Sequence, residues 1–301
     1  MKKILSLVIA LLMLIPAGAQ AATVVTSFFP IYVFTLNLTQ GIDGLQLESL
    51  TAPDAGCLHD YQLQTCDMKL LDQADVFLIN GAGMESYLSG VFDAFPELPV
   101  VDASHGVTLL ESCLEHDHSA DDDHSHEHEV NAHIWLDAEN AILMVRNLAE
   151  GLMAQLPQHA EVIAANRDAY IARLTNLDAE LTASLAALPH KRIITFHEAF
   201  PYFAAAYGLE VAAVLNHEPE DALSPRALAE LCKTVRAEGN PPLFVEPQYD
   251  DAAARTVSRE TGAKVYTLDP IVTAPTGDIP LTWYEDTMRN NLLILLEALG
   301  E

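Results

Sequence analysis

Short apolar runs alternate with stretches of helical period from residue 23 to the end of the chain, and this alternation narrows the fold to parallel sheet with helices on its faces. In the first half, 23–27, 45–50, 76–80 and 100–102 read as strands. Residues 30–39, 67–74 and 84–95 read as helices, the first opened by Pro30. The second half repeats the theme, with strands at 192–196, 210–214, 243–246 and 264–268 and helices through 203 and over 225–238, 251–261 and 283–299. Residues 138–188, between the halves, contain almost nothing but helix formers. There Ile163, Tyr170, Leu174, Leu177, Leu181, Leu185 and Leu188 form one apolar stripe. The expectation is an α/β protein of two lobes, each a mostly parallel sheet flanked by helices, joined by a long rigid backbone helix. Residues 22–157 would form the N-terminal lobe, 158–188 the connecting helix and 189–301 the C-terminal lobe. At 1.5 Å per residue such a helix is about 45 Å long, enough to run along both lobes. A helical connector also limits hinge opening.

With 301 residues, 50% hydrophobic and 19% charged, the chain has length for two cores and is too apolar for global disorder. Its 43 Asp and Glu against 15 Lys and Arg give a formal charge of −28. Such a surface repels phosphate backbones and attracts cations, which argues against nucleic acid as a partner. Residues 1–21 read as a cleaved export signal: Lys2 and Lys3, an apolar stretch over 4–15, and Ala19-Gln20-Ala21 as the small-residue cleavage site. The apolar stretch is too short to span a hydrocarbon core of ~30 Å. No Cys follows the cleavage site for lipid attachment. The expectation is a monomeric periplasmic protein without membrane insertion.

The most biased segment is 115–129, with five His (His116, His118, His124, His126, His128) and seven carboxylates in fifteen residues. Lacking apolar residues beyond Ala120, it cannot offset its own ordering entropy and should be a mobile loop. Its imidazoles and carboxylates suit weak, exchangeable binding of a borderline cation such as Zn²⁺. Three other histidines stand in more structured surroundings: His59, His133 and His197. His59 and His197 each follow a strand, where open parallel sheets bind ligands, and His133 can reach the same crevice. Asp269, ending the last strand, is the natural fourth ligand. Three neutral imidazoles and one carboxylate suit tetrahedral Zn²⁺ better than Mn²⁺, which prefers more oxygen, though Cu²⁺ could compete.

These residues sit in segments that resemble one known family. They are His59-Asp60-Tyr61, Asn80-Gly81-Ala82-Gly83-Met84-Glu85, His133-Ile134-Trp135-Leu136-Asp137, Thr195-Phe196-His197-Glu198, Val245-Glu246-Pro247-Gln248 and Leu268-Asp269-Pro270. In this order they resemble the zinc-specific periplasmic solute-binding proteins of ABC importers, a cluster that also holds manganese and iron receptors. The resemblance implies that His59, His133, His197 and Asp269 ligate the transported Zn²⁺, which a membrane ABC permease then receives. It also implies zinc over manganese, because manganese receptors of this type place a carboxylate where this chain has His197. The chain departs from the pattern at Leu58, where a Pro usually precedes the first His.

Four Cys in an exported chain allow three pairings. Cys57 with Cys66 is the shortest closure; Cys57 could instead be a thiolate ligand. Glu198 beside a His ligand raises a zinc hydrolase as the competing class, yet there is no His-Glu-x-x-His helix. Glu198 and Glu246 read as carboxylates that orient the ligands rather than as catalysts. Binding without enzymatic turnover is the favoured reading, with a receptor for Mn²⁺, Fe²⁺ or Cu²⁺ as the alternative and a surface adhesin as a weaker one.

Overall fold

The structure is a computed structural model and describes residues 22–52, 55, 58, 61–112, 130–215, 224–274 and 277–300. The signal segment 1–21, His59, Cys57, Cys113 and the His-rich segment 115–129 therefore lie outside the described residues.

In chain order the elements are β1 (Thr23–Thr26), α1 (Phe29–Leu38), β2 (Gln46–Ser49), α2 (Thr65–Asp72), β3 (Val76–Ile79), α3 (Ser89–Ala94) and β4 (Val100–Asp102). Then come α4 (Ala138–Gln155), α5 (Ala160–Ala186), β5 (Arg192–Thr195), α6 (Pro201–Tyr207), β6 (Glu210–Val214), α7 (Pro225–Ala237), β7 (Leu243–Val245), α8 (Ala252–Thr261), β8 (Val265–Thr267) and α9 (Trp283–Leu299). The strands form two four-stranded parallel sheets, ordered β2-β1-β3-β4 and β6-β5-β7-β8. The second sheet repeats the strand order of the first. In each, the order reverses beside the first strand of the set, the place where open parallel sheets bind ligands.

Alternation along the strands explains why three hydrophobic clusters suffice. Val24, Ile193 and Phe244 point into one large cluster that runs through both lobes, while their neighbours Val25, Ile194, Leu243 and Val245 point to the outer face of their own sheet. The large cluster is filled by the predicted stripe of α5, with Tyr170, Leu174, Leu177, Leu181 and Leu185 all fully buried, and by Tyr284, Met288 and Leu295 of α9. The lobes thus share one core.

The connecting helix expected over 158–188 is α5, and Leu156 (φ −123°, ψ 58°) with the turn that Pro157 opens separates it from α4. One expectation is adjusted. The helix expected over 84–95 shrinks to a 3₁₀ turn at Ser86–Leu88 followed by α3. A left-handed run precedes it: Gly81, Ala82 and Gly83 have φ of 76°, 51° and 81°. Gly81 is required there, since a Cβ would fall 1.9 Å from Asp102 Oδ1.

Candidate metal centre

The second sheet supplies its part of the site from strand ends. His197 follows β5 by two residues, Glu246 follows β7 directly and Asp269 follows β8 by two. From the first lobe comes His133, immediately before the 3₁₀ turn Ile134–Leu136. That turn leads into α4, whose N-cap Asp137 accepts from Glu139 N at 2.9 Å.

His133 and His197 are buried, at 2% and 4% exposure, and their Nε2 atoms stand 3.3 Å apart across the lobes. The rings are nearly perpendicular, at 78° with centroids 5.1 Å apart. Two imidazole nitrogens each about 2.05 Å from a tetrahedral ion are about 3.3 Å apart, so the pair has the spacing of two ligands on one Zn²⁺. Tyr249 closes on His197 with centroids 6.0 Å apart, and Trp135 on His133 at 5.2 Å.

Asp269 is held by its neighbours: Oδ1 accepts from Ile271 N at 2.7 Å, the backbone N donates to Asn291 Oδ1, and Asn291 Nδ2 donates to Asp269 O. Burial pushes its carboxyl above the usual carboxylate range. Among the described residues no group of three His, Cys, Asp or Glu side chains is gathered closely enough to hold a metal. The structure thus brings His133 and His197 together, while Asp269 does not complete a set of three with them. His59, the remaining expected ligand, lies outside the described residues, as do His116, His118, His124, His126 and His128.

Glu246 is fully enclosed, and burial pushes its carboxyl up to about 8, with the charge of Asp269 acting in the same direction. Gln248 Nε2 donates to its Oε2, while Oε1 has no hydrogen-bond partner among the described residues. The Glu246 carboxyl lies close enough to Asp269 to feel its charge. Glu198 accepts from Ser112 Oγ at 2.7 Å. Cys66 Sγ is exposed, 3.4 Å from Asp67 Oδ1, and has no disulfide partner among the described residues; its candidate partner Cys57 lies outside them.

Reasoning from sequence did not assign roles to Asn131, Trp135 and Tyr202, which stitch the lobes together around the histidine pair. Trp135 Nε1 donates to Pro270 O at 2.8 Å, next to Asp269, and Tyr202 OH donates to Asn131 O at 2.9 Å. The only sequence mark was their position beside the histidines or in the following helix.

A family model described as the periplasmic component A of a zinc-uptake complex, ZnuA, matches residues 24–298. The chain belongs to the ZnuA family. Its relatives include zinc-binding protein AdcA of Streptococcus pyogenes serotype M6, 30% identical over 263 residues, 82% of this chain and 50% of that protein. Iron-binding protein YfeA of Yersinia pestis is 29% identical over 248 residues, 82% of this chain and 76% of its own length. The chain spans about half the length of the AdcA relatives it matches. Among solved structures, FpvC from Pseudomonas aeruginosa in complex with Mn²⁺ superposes with a TM-score of 0.80 at 26% identity, covering 93% of this chain and 99% of that one. ZnuA is a family of uptake components and not of enzymes, so the hydrolase alternative falls. Among the described residues no helix is long and apolar enough to cross a membrane.

Proposed function

We propose that this ZnuA-family chain captures Zn²⁺ between its lobes and delivers it to a membrane ABC permease, working as a monomer in the periplasm. The observation that carries the reading is the buried His133–His197 pair, one imidazole from each lobe, with Nε2 atoms 3.3 Å apart. In this reading His59 and Asp269 close on the pair only when the ion is bound, giving an N₃O set, and the acidic, His-rich segment 115–129 raises the local cation concentration. Nitrogen-rich coordination selects Zn²⁺ over Mn²⁺.

A receptor for another divalent ion is the second reading, favoured by the resemblance to an iron-binding protein and to a Mn²⁺-bound structure. Calorimetric titration of chelator-treated protein with Zn²⁺, Mn²⁺, Fe²⁺ and Cu²⁺ separates the two. The proposal predicts one tight Zn²⁺ site, abolished in His133→Ala and His197→Ala, and retained when 115–129 is deleted with loss of only the weaker sites. Tighter Mn²⁺ or Fe²⁺ binding supports the second reading, and loss of tight binding on deleting the segment places the site elsewhere.

A further inference from the structure

Asn131 is 2% exposed and uses both ends of its amide at the site. Its Nδ2 donates to Glu198 O at 2.8 Å, in the opposite lobe and adjacent to His197. Its Oδ1 accepts from the backbone N of His133 at 2.9 Å and lies 3.2 Å from His133 Nδ1. These contacts fix which end is which without reference to any hydrogen position. A carbonyl such as Glu198 O only accepts, so the group facing it must be the NH₂; a backbone N–H only donates, so the group facing His133 N must be the oxygen. An amide oxygen that faces Nδ1 can only accept from it. The proton of neutral His133 therefore sits on Nδ1, and Nε2 presents its lone pair towards His197 Nε2.

We infer that Asn131 is a positioning residue of the metal site, in which one end of the amide sets the tautomer of His133 and the other ties that histidine to the lobe that carries His197. The inference rests on the zinc reading above for its consequence, but its first half stands on the metal-free protein. An imidazole without this acceptor samples both neutral tautomers, and one of them puts a proton where the ion must bind. Without the donor, the two halves of the site lose a direct tie across the lobes. The neighbouring Tyr202 OH bond to Asn131 O keeps the backbone in place when the side chain is altered, so the variants report on the side chain.

Two substitutions separate the two ends. Asn131→Asp keeps an acceptor for Nδ1 and loses the donor to Glu198 O, whereas Asn131→Ala loses both. The test reads ¹⁵N spectra of the metal-free, histidine-labelled protein, with the His133 resonances assigned by their absence in His133→Ala, and the rate at which loaded Zn²⁺ passes to a competing chelator. The wild type should show a single Nδ1–H tautomer at His133, retained in Asn131→Asp and replaced by a mixture in Asn131→Ala. Zinc release should be about 10–100-fold faster in Asn131→Ala, the range found when a partner of a metal-binding His is removed, with Asn131→Asp between it and the wild type. An unchanged tautomer in Asn131→Ala, or wild-type release from both variants, overturns the inference. A wild type that takes up no zinc overturns the receptor reading instead, while the metal-free spectrum still decides the tautomer.

Discussion

Glu85 shows how a single buried carboxyl links this fold to pH. Its two oxygens accept from Asn80 N at 2.7 Å and Gly81 N at 3.0 Å, bracing the left-handed turn that follows β3. Burial dominates and pushes the carboxyl from 4.5 up to about 7, against the pull of those two donors. A carboxyl raised in the folded state binds its proton more tightly there than in the unfolded chain. Its contribution is fully present below about pH 4.5 and is lost as pH rises through about 7. Urea unfolding across that window should show this decline in the wild type and a flatter profile in Glu85→Gln; parallel profiles would contradict it. At this scale the sequence was legible where chemistry is rare: His133 and His197 stand out as imidazoles in apolar company. Asn131 did not, because its use depends on a carbonyl 67 residues away, and an Asn two positions before a His has no pattern of its own.

Individual elements follow local rules more faithfully than their lengths do. Helix α7 starts where Ser224 precedes Pro225, and Ser224 Oγ accepts from Ala227 N at 3.2 Å. Ser224→Ala should cost about 1 kcal/mol, the usual value of an N-cap, and lower the thermal midpoint without altering zinc stoichiometry; an unchanged midpoint would show the cap to be idle. Strands β4, β6 and β8 were readable as apolar or β-branched runs bounded by turn residues. The shortened helix after β3 was not. Only Met84, Glu85, Leu88 and Ala94 are strong helix formers in 84–95, and Gly90 interrupts them; the preceding glycines bend the chain, Glu85 is drawn inward to brace that bend, and Ser89–Ala94 remains as α-helix.

In the whole molecule, the two sheets were legible from alternating strands and helices, but their shared core was not, since no local pattern says which faces of two lobes meet. Leu177 of α5 lies at 0% exposure in that common cluster. Leu177→Ala should lower stability by about 2–5 kcal/mol through the cavity it leaves, and because the core is common, one calorimetric transition should shift as a unit. Two transitions with only one displaced would show the lobes to be independent. The same packing, reinforced by Tyr284 OH donating to Trp135 O at 2.8 Å, holds His133 against His197 whatever the ion. If both imidazoles bind one zinc ion, X-ray absorption at the zinc edge of protein loaded with one equivalent will show it. The spectrum should contain nitrogen and oxygen neighbours only, at about 2.0–2.2 Å, with imidazole scattering that weakens in His133→Ala and again in His197→Ala. Sulfur at about 2.3 Å, or imidazole scattering untouched by both substitutions, would contradict it.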